Sequence, residues 1–154
     1  SRGWWRRGLL LRTVFPCRGR TVALGLLTAI CCGCAAGDTE QLRLARQYFA
    51  DNNSAAARGP AAQRYFFQRT QHPDFIGGAC DPGEVTVDLD PALSTLRPAP
   101  GFRPDGIRSP RGTTWVIGVE VTVRRAGMVV GHQIGSQHLV YLDGRVYGFA
   151  PCPA

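Results

Sequence analysis

The chain has 154 residues, 44% of them hydrophobic, with six cysteines and a formal net charge of +7. The charge invites a nucleic-acid reading, but all eleven acidic residues lie after Cys34, whereas only twelve of the eighteen basic ones do. Beyond that point the balance is about +1, so a phosphate-binding surface loses its support and no nucleic-acid partner is expected. Every basic residue is arginine, a bias that reads as a GC-rich genome rather than a selected surface.

Residues 1–34 read as an export signal. An arginine-rich lead (Arg6, Arg7, Arg12, Arg18, Arg20) precedes an apolar run from Val22 to Ile30, which ends at Gly33-Cys34. The run is far shorter than the roughly 20 apolar residues a spanning helix needs, so cleavage is expected rather than permanent insertion. Cys17, Cys31 and Cys32 would leave with the signal. Cys80 and Cys152 would remain as a pair, expected to join as a disulfide in an oxidising compartment and to stabilise the fold by about 4 kcal/mol. A metal site on Cys31, Cys32 and Cys34 has poor ligand spacing and no nearby histidine. No cofactor motif is present, and none is expected.

Gly33-Cys34 after an apolar run resembles the lipobox of bacterial lipoproteins, with Cys31 at the position where leucine is usual. The resemblance implies that Cys34 is lipidated and becomes the first mature residue. It places the protein outside the cytoplasm, anchored to the cell membrane or secreted.

Residues 35–154 read as one α+β domain. Asp38 to Gln41 has the pattern of a capping box, and Leu42, Ala45, Phe49 and Ala56, with Tyr48 beside them, fall near one helical face. Asn52-Asn53-Ser54 fits a glycosylation pattern but reads as a solvated helix face. Gly59-Pro60 ends this helix and starts a second, to about Thr70, with Ala62, Tyr65, Phe66 and Arg69 on one side. His72-Pro73 stops it. Val85, Val87 and Leu89 alternate as a strand. The prolines at 91, 98, 100, 104 and 110 mark a long connection, either a structured cover or a mobile loop. Three strands follow, at roughly 114–124, 128–142 and 145–150, joined at Ala126-Gly127 and Asp143-Gly144.

Two-residue loops at both turns set a register. Val140 would face Tyr147 and His138 would face Phe149; Val123 would face Val130, Val121 His132, Val119 Ile134, Ile117 Ser136 and Trp115 His138. This collects Trp115, Ile117, Val119, Val121, Val130, Ile134, Val140, Tyr147 and Phe149 on one side for the helices to cover. The other side holds Gly118, Glu120, Thr122, Gly131, Gln133, Gly135 and Gln137. A one-residue slip at Ala126-Gly127 would destroy the separation.

Two helices, a strand and an antiparallel meander over residues 38–151 resemble the cone-like fold of nuclear transport factor and ketosteroid isomerase relatives, carried on secreted lipoproteins of GC-rich Gram-positive bacteria. The resemblance implies two N-terminal helices packed on a curved antiparallel sheet of about four strands. It also implies ligands held inside the cone and homodimers made through the sheet face, where Gly118, Gly131 and Gly135 permit close approach. The proline-rich 91–111 segment departs from the pattern.

The candidate ligand-binding set is His132, Ser136 and His138, with Trp115, Tyr147 and Phe149 as neighbours, since polar groups in an apolar concavity mark small-molecule pockets. The expected function is non-catalytic binding of a small apolar ligand or an envelope protein. The alternatives are an envelope enzyme pairing His138 with a carboxylate such as Asp74, and a structural accessory subunit of an envelope complex. A cavity running to His132 and His138 would favour a ligand; a filled core with an exposed sheet face would favour a protein partner.

Overall fold

A computed structural model describes residues 35–78 and 81–150, with side chains from Glu40 onward. The expected export segment, the expected lipidation at Cys34 and the expected Cys80–Cys152 disulfide fall outside the described residues. Two helices, α1 (Ala35–Ala57) and α2 (Pro60–Thr70), and a short 3-10 turn (Pro73–Gly78) precede four strands: β1 (Val85–Pro98), β2 (Thr113–Arg125), β3 (Met128–Leu142) and β4 (Arg145–Tyr147). The strands form one open, curved antiparallel sheet in sequential order. The expected α+β arrangement is present. No helix among the described residues is long and apolar enough to cross a membrane.

The helix break falls where the sequence puts it. Gly59 takes φ 109°, a conformation that disfavours side chains, and Pro60 sits at the start of α2, where a missing N–H costs nothing. Helix α1 is already formed at Ala35, so Asp38 and Gln41 lie inside it rather than capping it. Helix α2 buries Gln63, Phe66 and Phe67, and Tyr65 and Arg69 face solvent, a rotation from the expected side.

The core joins Ala45, Tyr48, Phe49 and Ala55 of α1 and Phe66 and Phe67 of α2 to Val87, Leu89, Ile117, Val119, Val121 and Leu139 of the sheet. Strand β1 runs on through Pro91 to Pro98, so the first part of the proline-rich connection is strand. Three extra residues bulge between Ala92 and Arg97. There Thr95 Oγ1 accepts the Gly118 N–H at 2.8 Å, which fills the space that Gly118 leaves with the chain's own side chain.

Both hairpin turns are two-residue loops with positive φ at each position: 50° and 79° at Ala126-Gly127, and 51° and 75° at Asp143-Gly144. The second keeps the expected Val140–Tyr147 pair. His138 and Phe149 form no ladder pair, because β4 ends at Tyr147 and the chain turns away to bridge Gln71 through Gly148. The first turn pairs Arg125 with Met128 and Arg124 with Val129, and then the register shifts by one residue between Val123 and Arg124. Val130 is the extra residue, and it reverses every face assignment downstream on β3.

Candidate functional site

After the bulge, Val123 faces Gly131, Val121 Gln133, Val119 Gly135, Ile117 Gln137 and Trp115 Leu139. The helix-side face of β3 therefore carries Gly131, Gln133, Gly135, Gln137 and Leu139, while His132, Ile134, Ser136 and His138 point to the other side. The gain is at the covered end of the strand. Leu139, 4% exposed, lies under the helices in place of a histidine. The cost is Ile134, expected in the core and found 90% exposed.

The candidate set consequently separates into three places. His132 and Ser136 are exposed on the outer face; His132 meets Thr122 Oγ1 at 3.2 Å through Nε2 and Glu120 Oε1 at 3.3 Å through Nδ1. Trp115 lies on the helix side, and its Nε1 has no hydrogen-bond partner among the described residues. His138, Tyr147 and Phe149 join an aromatic cluster with Phe102, Phe75 and His72. Phe102 stacks on His138 with ring centres 3.7 Å apart and meets Phe149 edge-on at 5.1 Å. Burial, and then the charge of Arg97, lowers the His138 pKa below its ordinary value.

His72 organises this cluster, although the sequence marks it only as a helix stop. It is fully buried, parallel to Phe149 at 6.1 Å and edge-on to Tyr147 at 5.8 Å. Its Nδ1 accepts the Asp74 N–H at 3.2 Å, which leaves Nε2 to donate to the Arg111 carbonyl at 2.8 Å. Arg111 also grips the Asp74 carboxylate through Nε and Nη2 and holds its pKa down. The residues after Pro98 are therefore a structured cover. Asp105 staples that cover by accepting the Arg108 and Ile107 amides, which with the Arg108 guanidinium lower its pKa to about 2. A His138–Asp74 pair does not form: Asp74 is engaged by Arg111, and His138 has no hydrogen bond among the described residues. No group of three His, Cys, Asp or Glu suited to a metal occurs among them either.

The core under the helices is filled by Phe49, Val87, Leu89 and Ile117. The space that reaches His132 is an open groove of about 410 Å³ over Val85, Val123, Gly131 and Gln133, where the sheet extends past the helices. A second open cleft, of about 470 Å³, lies between α1, α2 and β4, with Tyr48, Phe66, Arg69 and Arg145 on its walls. Neither is an enclosed ligand chamber.

The two edges of the sheet are treated in opposite ways. At the β1 edge the helices stand in for a neighbouring strand. Gln63 accepts the Val87 N–H at 2.8 Å and donates to the Val87 carbonyl at 2.7 Å, and Asn52 donates to that carbonyl at 3.0 Å. Asn53 both accepts from and donates to Leu89 at 2.9 Å. Pro91 follows in the same alternation, so its missing N–H falls on the edge and removes no ladder bond. Asn52 is thus fully buried, not the solvated position its glycosylation-like pattern suggested.

Among the described residues the β3 edge has no such cover. Strand β4 pairs only with Val140, Tyr141 and Leu142, and residues 132–136 are exposed. In an antiparallel ladder, alternate residues turn both backbone groups to one neighbour. Val140 turns to β4, so His138, Ser136, Ile134 and His132 turn their N–H and C=O groups outward. None of the four bonds to another backbone outside the ladder among the described residues. The strand from Met128 to Leu142 contains no Asp, Glu, Lys, Arg or Pro, the residues that usually blunt an edge. The sequence shows these residues; it does not show that they form an edge.

No protein-family model, no curated protein and no solved structure matches the chain.

Proposed function

We propose that the chain is an exported, lipid-anchored envelope protein whose domain binds a protein partner without catalysing a reaction. The carrying observation is the contrast between the sheet edges: side-chain amides close β1, while β3 presents an uncharged row of backbone groups, unpaired among the described residues, around an exposed Ile134. Such an edge accepts an extended strand, with main-chain hydrogen bonds supplying affinity and alternate side chains supplying selectivity. The filled core supports a partner rather than a ligand held inside the domain. The export half of the proposal rests on the apolar run and Gly33-Cys34, as does the resemblance to bacterial lipoproteins; the resemblance to cone-like domains rests on the order of the elements. It brings with it a Cys80–Cys152 disulfide.

Two measurements test this. Intact mass of the protein from native membranes should show cleavage before Cys34, an added diacyl group and two hydrogens lost to the disulfide; an unprocessed mass with free thiols refutes the export reading. For the docking surface, Ser136→Pro removes one outward N–H and leaves the β2 ladder intact. A strand partner that copurifies with the wild-type chain in mild detergent should be lost with this variant. Equal recovery with both refutes the edge as the docking surface.

A further inference from the structure

We infer that the strand taken by the β3 edge is β3 of a second copy of this chain, paired antiparallel about a two-fold axis at Ile134. The inference rests on reading that edge as the docking surface, and it names the occupant.

Four observations select a second copy and this register. The open run extends from Gly131, after the bulge, to Leu139, before β4 takes the edge, and Ile134 lies near its middle. The outward backbone groups belong to the even-numbered residues. An axis on Ile134 brings Ile134 against Ile134, and His132 against Ser136 of the second copy, so free donors meet free acceptors in every such pair. An axis on Gly135 would do the same, but it would slide each copy toward the other's β4, and an axis on Gln133 would set Gln133 against itself and His132 against Ile134.

Side-chain sizes in the Ile134 register also match. On the helix side Gln133 faces Gly135 of the second copy, and Gly131 faces its Gln137. On the outer side His132 faces Ser136. Each large side chain meets a small one, and only Ile134 meets itself. It is the most exposed large apolar residue described, and the pairing covers it.

Charge completes the argument. With no formal charge between Met128 and Leu142, self-pairing opposes no like charges, and a charged strand would find no complement. The same operation sets Val130 of each copy opposite His138 of the other, and the strand pairing ends there, where β4 takes the edge at Val140. The product is one continuous eight-stranded sheet, four strands from each copy.

The test uses the full chain in mild detergent. The mass of the wild-type protein, by sedimentation or mass photometry, should be that of a dimer. Ile134→Lys sets two like charges on the axis and should weaken self-association by about a hundredfold, the scale of like-charge juxtaposition. Its circular dichroism should match the wild type, because position 134 is solvent-exposed and Lys has Glu120 opposite it on β2. A photo-crosslinking residue at position 136 should join the peptide containing His132 of another copy. A monomeric wild type, or a dimer unaffected by Ile134→Lys and not crosslinked between 136 and 132, overturns the inference. If the wild type is monomeric while Ser136→Pro still loses a different strand partner, self-pairing falls and the docking reading stands; if neither behaviour is seen, both fall.

Discussion

Three residues do more than their type suggests. Gln63 bonds both backbone groups of Val87 and the Asn52 side chain from a fully buried position. Gln63→Leu keeps most of the volume but orphans the Val87 N–H in the core, so it should cost about 1–3 kcal/mol in urea unfolding. Gln63→Glu should also destabilise, because it buries a charge. His72 was legible only as a helix stop; its role depends on Arg111, which lies 39 residues away. His138 carries a pH signature. Its folded pKa lies below the ordinary 6.5, through burial first and Arg97 second. The folded state therefore binds fewer protons than the unfolded one. This contribution is fully present above pH 6.5 and is lost as pH falls through that value toward the folded pKa. Thermal melts should show the wild type losing more stability between pH 7.5 and 5 than His138→Phe, which keeps a ring against Phe102.

Among the elements, the β2–β3 hairpin is the most instructive. Ala126 takes φ 50°, where a methyl side chain is disfavoured, yet its two-residue turn forms beside Gly127. Ala126→Asn should raise stability by about 1 kcal/mol, measured as an increased urea midpoint at unchanged slope, since Asn tolerates the left-handed region. The turn was readable from the dipeptide; the bulge one pair further on was not. A strand has a side-chain period of two, and a single extra residue at Val130 exchanges its faces without changing its composition. Both registers put apolar residues under the helices, and the choice is made at Leu139 and His138, far from the turn. Helix α2 shows the same limit. Its ends were set by Gly59-Pro60 and His72-Pro73, but its buried face centres on Gln63 because a polar side chain is needed at the β1 edge.

At the scale of the molecule, packing is concentrated on the β1 side of the sheet and thins toward β3. Phe49 is 1% exposed at the centre of the packed side, and Phe49→Ala should cost about 3–5 kcal/mol in denaturant unfolding. Truncating Ile134 to alanine should leave the stability of the isolated fold within about 0.5 kcal/mol, as for exposed positions generally. A large loss there that depends on protein concentration would instead report the paired sheet. The two measurements together separate what holds the fold from what the fold presents.

The sequence by itself determined the order of the elements, the helix break, both hairpin turns and the α+β class, because glycine, proline and hydrophobic period act within a few residues of themselves. The proposed export segment likewise rests on local composition. Only the tertiary structure decided which face of β3 meets the core, which residues gather around His72, and which sheet edge is closed. Those outcomes depend on contacts between residues 24 to 39 positions apart, where one bulge or one buried amide redirects a whole strand.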